Sequence, residues 1–112
     1  MNKKTVFITG AGGFIGKNLT EQLNKKYRLL TPGHKELDLL DEKAVDVFFQ
    51  KNKIDVVINC AVIGGSRKEE QVDSALSGNL RIFFNLLKNN DKYKKMIHLG
   101  SGAEYDKSKP II

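Results

Sequence analysis

The chain has 112 residues, of which 40% are hydrophobic and 29% charged, and a formal net charge of +6. This length suits one compact domain, and no apolar run approaches the ~20 residues that cross a bilayer, which excludes a membrane partner. The basic residues are scattered in pairs without interleaved aromatics, so the charge favours a solvated surface over a nucleic-acid interface. The single cysteine excludes an internal disulfide and fits a reducing cytoplasm.

Strands and helices alternate along the chain. In chain order, the predicted elements are a strand at 5–9, a helix at 14–25, a strand at 27–31, a helix at 42–51 capped by Asp41, a strand at 55–59, a loop at 61–71, a helix at 72–89 and a strand at 95–99. The strands are short and apolar on both faces, as in a parallel sheet covered by helices. This order predicts a three-layer, Rossmann-like α/β fold, and right-handed crossovers give the strand order 3-2-1-4.

Helical periodicity also predicts which faces are buried. In the helix at 42–51, the buried positions are Ala44, Val45, Phe48 and Phe49. In the helix at 72–89, the inward-facing positions are Val72, Leu76, Leu80, Phe83, Phe84 and Leu87.

A glycine-rich turn follows the first strand with the spacing T-G-x-x-G-x-x-G. A strand that ends in such a turn and then begins a helix collects backbone N–H groups at one point, and such a point binds phosphate. We expect Gly10 to make the turn, Gly13 to let a pyrophosphate approach the backbone, and Gly16 to let the helix pack closely on the sheet. A glycine turn without a ligand is the alternative, but the strand, the helix and the following βαβ units are all present.

At these residues the chain resembles the extended short-chain dehydrogenases/reductases, which are nucleotide-sugar epimerases, dehydratases and reductases. The resemblance rests on spaced motifs in the family's order, at residues 9–16, 36–41, 55–61, 79–81 with 85–87, and 99–105. Within the family, residues 61–65 are most similar to 4-keto-6-deoxy-sugar epimerase/reductases. The implied cofactor-binding residues are Gly10, Gly12, Gly13, Phe14, Ile15, Gly16, His34, Asp38, Leu39, Cys60, Ala61, Val62 and Asn79. No group of residues has metal-site spacing.

The cofactor is NADP or NAD, and the sequence slightly favours NADP. An acidic residue at the end of the second strand binds the ribose hydroxyls in NAD sites, but none stands there. His34 and Lys35 suit a 2′-phosphate instead, with an ordinary exposed loop as the alternative. By resemblance Asp38 contacts the adenine, and the alternative is an aspartate that only forms a turn.

The resemblance implies that Ser101, just beyond the last strand, hydrogen-bonds a substrate oxygen beside the nicotinamide. The alternative is a turn serine between two glycines. The family also uses a Tyr-x-x-x-Lys pair on a helix. Tyr105 and Lys109 fit the letters, but Lys109 precedes Pro110, which disfavours helical geometry. We therefore expect residues 1–112 to form the NAD(P)-binding N-terminal part of a longer enzyme, truncated before its substrate domain and inactive alone.

The leading interpretation is the cofactor-binding portion of a nucleotide-sugar epimerase, dehydratase or reductase, whose partner is a sugar nucleotide. In the intact enzyme, hydride moves between the nicotinamide and that sugar. A non-catalytic NAD(P)-sensing or interaction module is the alternative. An unpaired edge on the strand at 95–99 also predicts self-association, because such edges pair with other chains.

Overall fold

The computed structural model describes residues 3–33, 35–61 and 69–99, with the backbone alone for 69–76. The elements are β1 (Thr5–Thr9), α1 (Phe14–Leu23), β2 (Arg28–Leu30), α2 (Glu42–Lys51), β3 (Val56–Asn59), α3 (Glu69–Leu87), a 3₁₀ turn (Asn90–Lys92) and β4 (Lys95–His98). The predicted α/β class with a parallel sheet is confirmed.

The strand order is β2-β1-β3-β4, so the predicted order 3-2-1-4 is wrong. After α2 the chain crosses back over β1, and β3 pairs with β1 on the side away from β2. Burial explains this choice. Phe7 of β1 and Val57 of β3 are completely buried neighbours in the sheet, whereas the three-residue β2 carries the exposed Arg28. The most apolar strands therefore take the centre, and the weakest strand takes the edge.

Helices cover both faces of the sheet. Side chains alternate between the two faces of a strand, so Phe7 and Val57 point to one face and Ile8 and Ile58 to the other. Residues of α2 and α3 pack on the first face, including Val45 and Leu86. Residues of α1 pack on the second face. The three predicted layers are therefore present.

The second helix matches its prediction in bounds, cap and buried face. The Asp41 carboxylate accepts a hydrogen bond from the Ala44 amide at 3.2 Å, which satisfies one of the open N–H groups at the helix start. Val45 and Phe49 are buried in the core, and Phe48 packs against it.

The third helix differs from its prediction in start and in orientation. It begins at Glu69, so the predicted loop at 61–71 is shorter. Leu80 and Phe84, predicted to face inward, are 48% and 56% exposed. Among the α3 residues whose side chains are described, Ile82, Asn85 and Leu86 are buried, and so is Asn89 just past the helix end. The three helix positions share one face, but a search for apolar residues misses it because one of the three is an asparagine. The predicted inward-facing Val72 and Leu76 fall outside the residues whose side chains are described.

Candidate functional site

The connections that follow β1 and β3 run to opposite sides of the sheet. The chain leaves β1 through α1 towards β2 on one side, and it leaves β3 through α3 towards β4 on the other. The two connections diverge and open a crevice at the carboxyl ends of these strands. Open α/β sheets bind their ligands at this switch point, including sheets of the order 2-1-3-4. Gly10 and Cys60, the residues that follow β1 and β3, stand there.

The turn after β1 requires glycine for two reasons. Gly10 has a φ of +68°, a conformation that L side chains rarely adopt, and a Cβ atom there would lie 2.7 Å from Cα of Ala61. The turn closes with a 3.0 Å hydrogen bond from the Gly13 amide to the Gly10 carbonyl. A Cβ atom at Gly16 would collide with Gly10 O and lie 2.8 Å from Cα of Ala11. Gly16 therefore lets α1 pack closely on the turn after β1, whereas the sequence predicted close packing on the sheet.

The N-terminus of α1 is open towards the crevice. Gly13 is its N-cap residue in extended conformation, and among the described residues no side chain caps this end and no acidic residue stands in its first turn. The first N–H groups of a helix have no partner within the helix, and the helix dipole adds partial positive charge. A Cβ atom at Gly12 would meet no atom within 4 Å. This end of α1 can therefore receive an anion against its bare backbone.

A cleft of about 410 Å³ lies beside this turn. Its volume falls in the range of small-molecule and cofactor sites. The lining combines the turn after β1, the segment after β2, the end of β3 and one residue of α3. The residues are Gly10, Ala11, Gly12, Gly13, Pro32, Gly33, Leu37, Asp38, Leu39, Leu40, Cys60, Ala61 and Ile82. Four chain segments that are distant in sequence thus meet at one site.

Seven predicted cofactor-binding residues lie together in this lining. They are Gly10, Gly12, Gly13, Asp38, Leu39, Cys60 and Ala61. Four others lie beside it. Phe14 and Ile15 begin α1 and are 84% and 48% exposed, Gly16 is buried under the turn, and Asn79 lies on α3 three residues before Ile82. His34, Val62, Ser101, Tyr105 and Lys109 fall outside the described residues.

Six lining residues were not predicted from the sequence. They are Ala11, Pro32, Gly33, Leu37, Leu40 and Ile82. Pro32 and Gly33 had a usable signal, because they follow β2 at the same sheet edge as Gly10. Leu37 and Ile82 are also buried core residues, and their sequence pattern is that of any core position.

Asp38 makes hydrogen bonds within the segment after β2 and also lines the cleft. Its carboxylate accepts a 3.0 Å hydrogen bond from the Leu40 amide, and its carbonyl accepts one from the Asp41 amide at 3.0 Å. Asp38 therefore forms a turn. A carboxylate has further lone pairs, and Asp38 also lines the cleft, so this bond leaves room for a ligand contact.

A polar network with buried Thr9 and Asn59 lies at the carboxyl ends of β1, β3 and β4, next in sequence to the lining residues Gly10 and Cys60. The Thr9 hydroxyl donates to the Asn59 side-chain oxygen at 2.5 Å, and the Thr9 oxygen accepts from the Ala61 amide at 3.1 Å. The Asn59 side-chain nitrogen lies 3.0 Å from Nδ1 of His98. The bonds join the ends of β1, β3 and β4 and fix the start of the segment after β3. Sequence analysis did not single out Thr9 and Asn59 as site residues, although polar residues in apolar strands were a usable signal.

Burial raises the pKa of the Cys60 thiol. The thiol therefore stays protonated at neutral pH and is a weak nucleophile. In the described part of the chain, no three His, Cys, Asp or Glu side chains gather as metal ligands. Nor is any helix in that part both long and apolar enough to span a membrane.

The chain is similar to known proteins of one family. The NAD dependent epimerase/dehydratase family matches residues 6–112. GDP-L-colitose synthase of Yersinia pseudotuberculosis is 34% identical over 107 residues, which are 91% of this chain and 35% of that protein. GDP-L-fucose synthase of Escherichia coli K12 is 31% identical over 113 residues, which are 96% of this chain and 35% of that protein.

A solved structure shares the fold. The GDP-mannoheptose C4 reductase of Campylobacter jejuni, solved with NADP bound, superposes with a TM-score of 0.85 at 30% identity. The match covers 98% of this chain and 34% of that one. The chain thus spans about a third of the length of the proteins it matches.

Proposed function

This chain belongs to the NAD dependent epimerase/dehydratase family, and we propose that it forms the NADP-binding domain of a reductase or epimerase that acts on a GDP-linked sugar. The observation that carries the proposal is the bare glycine turn, which opens the N-terminus of α1 onto the cleft between β1 and β3. The names of the relatives, GDP-L-colitose synthase and GDP-L-fucose synthase, support the substrate class.

We place the pyrophosphate at Gly12 and Gly13. Both are exposed, and added Cβ atoms there would lie in open space or at ordinary contact distance, 3.5 Å from Gly10 O at Gly13. Backbone N–H groups and the dipole of α1 stabilise negative charge at this point. Gly10 holds the turn in shape, and Phe14 and Ile15 border it.

We place the adenosine half of the cofactor in the cleft. Its lining is mostly apolar there, with Leu39 and Leu40 from the segment after β2 and Ile82 from α3. Such a surface suits a flat, apolar base. The exposed Lys35 stands in the same segment, and its ammonium group suits a 2′-phosphate. Among the described lining residues only Asp38 is charged.

In this proposal Cys60 and Ala61, the residues that follow β3, would border the nicotinamide. NADPH, when bound, would supply a hydride for the reduction of a sugar carbonyl. The Thr9–Asn59 network holds the Ala61 backbone in place, and Cys60 contributes packing because its thiol is protonated. Ser101 is proposed to hydrogen-bond the sugar oxygen.

Calorimetric titration of the 112-residue chain with NADP and NAD tests this function. We expect both to bind and NADP to bind more tightly. Gly13→Glu brings a carboxylate against the pyrophosphate, and unit charges ~4 Å apart near a protein surface repel by about 4 kcal/mol. We therefore expect this variant to bind NADP at least about a hundredfold more weakly.

Gln22→Glu is the matched control, because it adds the same charge to an exposed position nine residues further along α1. It should bind NADP like the parent. The proposal fails if the parent binds neither nucleotide at millimolar concentration, or if Gly13→Glu binds NADP as tightly as the parent.

A further inference from the structure

The cleft wall after β2 depends on a contact from a different element. The described residues of the segment 31–41 form no helix or strand, yet Leu39 and its neighbours line the cleft. Turn hydrogen bonds organise the segment locally, such as that from the Leu37 amide to the Gly33 carbonyl at 2.9 Å. These bonds shape the turn, whereas its position relative to the sheet and α3 depends on anchors to other elements, among them the core on which Leu37 and Leu39 pack.

Asn85 of α3 supplies such an anchor. Its side-chain nitrogen donates a 2.8 Å hydrogen bond to the Leu39 carbonyl, 46 residues away in sequence. Asn85 is only 6% exposed and stands between core residues of the same helix. Burying an amide is costly unless it is hydrogen-bonded, so the bond is strongly favoured once the segment is in place.

Asn85 does not itself line the cleft. Its bond ties the backbone of Leu39, a lining residue, to α3, which contributes Ile82 to the same lining. The bond therefore acts together with the core packing of Leu37 and Leu39 in setting the position of this wall relative to α3.

We propose that Asn85 is a positioning residue for nucleotide affinity, acting on the adenosine half of the cofactor through the Leu39 carbonyl. This inference rests on the proposed function, which places the adenosine in this cleft. An amide that only stabilises the fold would not affect the two halves of the cofactor differently. The inference predicts that loss of the Asn85 bond weakens binding of the adenosine half and leaves binding of the nicotinamide half unchanged.

The chain offers a matched control four residues further along, just past the end of α3 at Leu87. Asn89 is 5% exposed, and its side-chain nitrogen donates to Asp46 Oδ1 and to the Asn85 backbone carbonyl, both at 3.0 Å. It is as buried as Asn85 and equally satisfied, but its bonds go to α2 and to the helix backbone, and neither reaches a residue that lines the cleft.

The experiment compares Asn85→Leu and Asn89→Leu in calorimetric titrations with NADP, adenosine 2′,5′-bisphosphate and nicotinamide mononucleotide. Asn85→Leu removes the donor and leaves the Leu39 carbonyl without it, so we expect NADP and the bisphosphate to bind about tenfold more weakly. Nicotinamide mononucleotide should bind as in the parent. Asn89→Leu should lower the melting temperature and leave all three affinities within about twofold.

A second measurement on the parent covers the case in which Asn85→Leu does not fold. The Asn85 side-chain amide protons should shift in ¹⁵N-resolved NMR and exchange more slowly when adenosine 2′,5′-bisphosphate is added, but not with nicotinamide mononucleotide. A folded Asn85→Leu that binds the bisphosphate like the parent would overturn the inference alone. So would an unchanged Asn85 amide signal. A parent that does not bind NADP would overturn the proposed function and this inference together.

Discussion

At the scale of single residues, two glycines of the same turn have different roles. Gly10 is required by the backbone conformation, whereas Gly12 leaves open space in which a ligand could lie. Gly10 combines a positive φ with a Cβ position 2.7 Å from Ala61, whereas a Cβ atom at Gly12 meets nothing within 4 Å. We expect Gly10→Ala to lower the free energy of unfolding by about 2–4 kcal/mol through backbone strain and overlap. Gly12→Ala should change it by no more than about 1 kcal/mol.

Chemical denaturation of both variants checks this prediction. Gly12→Ala serves as the control, because it introduces the same methyl group two residues away in the same turn. Equal stability of the two variants would show that the turn accepts a side chain at Gly10.

The single cysteine reports on occupancy of the cleft. Cys60 lines the cleft, and burial raises the pKa of its thiol, so iodoacetamide should modify it slowly at neutral pH. Saturating NADP should slow the reaction further, because the nucleotide covers the thiol. Mass spectrometry measures the rate, and the chain unfolded in guanidinium chloride at the same pH gives the unprotected reference. Unchanged labelling with NADP present would argue against a ligand beside Cys60.

The roles of single residues could be predicted from the sequence where the local backbone conformation allows only a few residue types. Gly10 was recognisable because a strand that turns sharply into a helix needs a left-handed residue, and Asp41 because it precedes an amphipathic helix. Leu37 and Ile82 were not recognisable as cleft residues. They are buried core residues that happen to border the cleft, and sequence does not separate these two situations.

At the scale of elements, a polar clamp joins α2 to α3. Asp46 accepts a hydrogen bond from the Asn89 side chain at 3.0 Å and pairs with Lys88 at 3.0 Å, and Lys88 also pairs with Glu42. The Asn89 hydrogen bond first, and then Lys88, lower the pKa of Asp46 from its ordinary value of 3.8. A lowered pKa means that folding favours the ionised carboxylate.

The lowered pKa fixes the sign of the pH dependence of stability. The contribution of Asp46 is fully present above its unfolded pKa of 3.8 and is lost as the pH falls through the lower, folded value. We therefore expect Asp46→Asn to lower the melting temperature at neutral pH, with a difference from the parent that stays constant down to about pH 5 and shrinks as the pH falls below 3.8.

Glu21→Gln is the control for the clamp, because it removes the same charge from an exposed position on α1. Melting curves at several pH values make the comparison. A difference between Asp46→Asn and the parent that stays constant, or grows as the pH falls, would show that the clamp does not contribute through ionised Asp46.

The same helices show what element prediction captures. The bounds and buried face of α2 follow from a local cap and a regular apolar stripe, and both were predicted correctly. Leu80 and Phe84 of α3 were wrongly predicted to face inward, because the described part of its buried face includes Asn85, and Asn89 is buried just past its end. Buried amides are stable only with partners on other elements, and those partners, the Leu39 carbonyl and Asp46, come from segments more than 40 residues away.

At the scale of the whole molecule, handedness alone does not fix the strand order. A right-handed crossover from β2 can place β3 beyond β2 or back beyond β1. Pairing with β1 places the completely buried Val57 beside Phe7 and leaves β2 as an edge. This pairing also creates the switch point at Gly10, so the order that sequence failed to predict determines where the cleft forms.

The order also leaves β4 at the other edge, where among the described strands it pairs with β3 alone. Ile97 on this strand is 37% exposed. A strand edge with an exposed apolar residue favours pairing with a second chain. We expect the sedimentation coefficient of the 112-residue chain to rise with concentration.

Ile97→Lys should reduce this association, because a lysine on an edge strand disfavours pairing with another chain. Val47→Lys is the matched control, since Val47 is 42% exposed on α2, away from the edge. Sedimentation velocity on the parent and both variants at equal concentrations makes the comparison. If β4 is the contact, Ile97→Lys sediments more slowly than the other two at high concentration. If the parent stays monomeric, the predicted association does not occur. If the two variants associate equally, the contact does not involve β4.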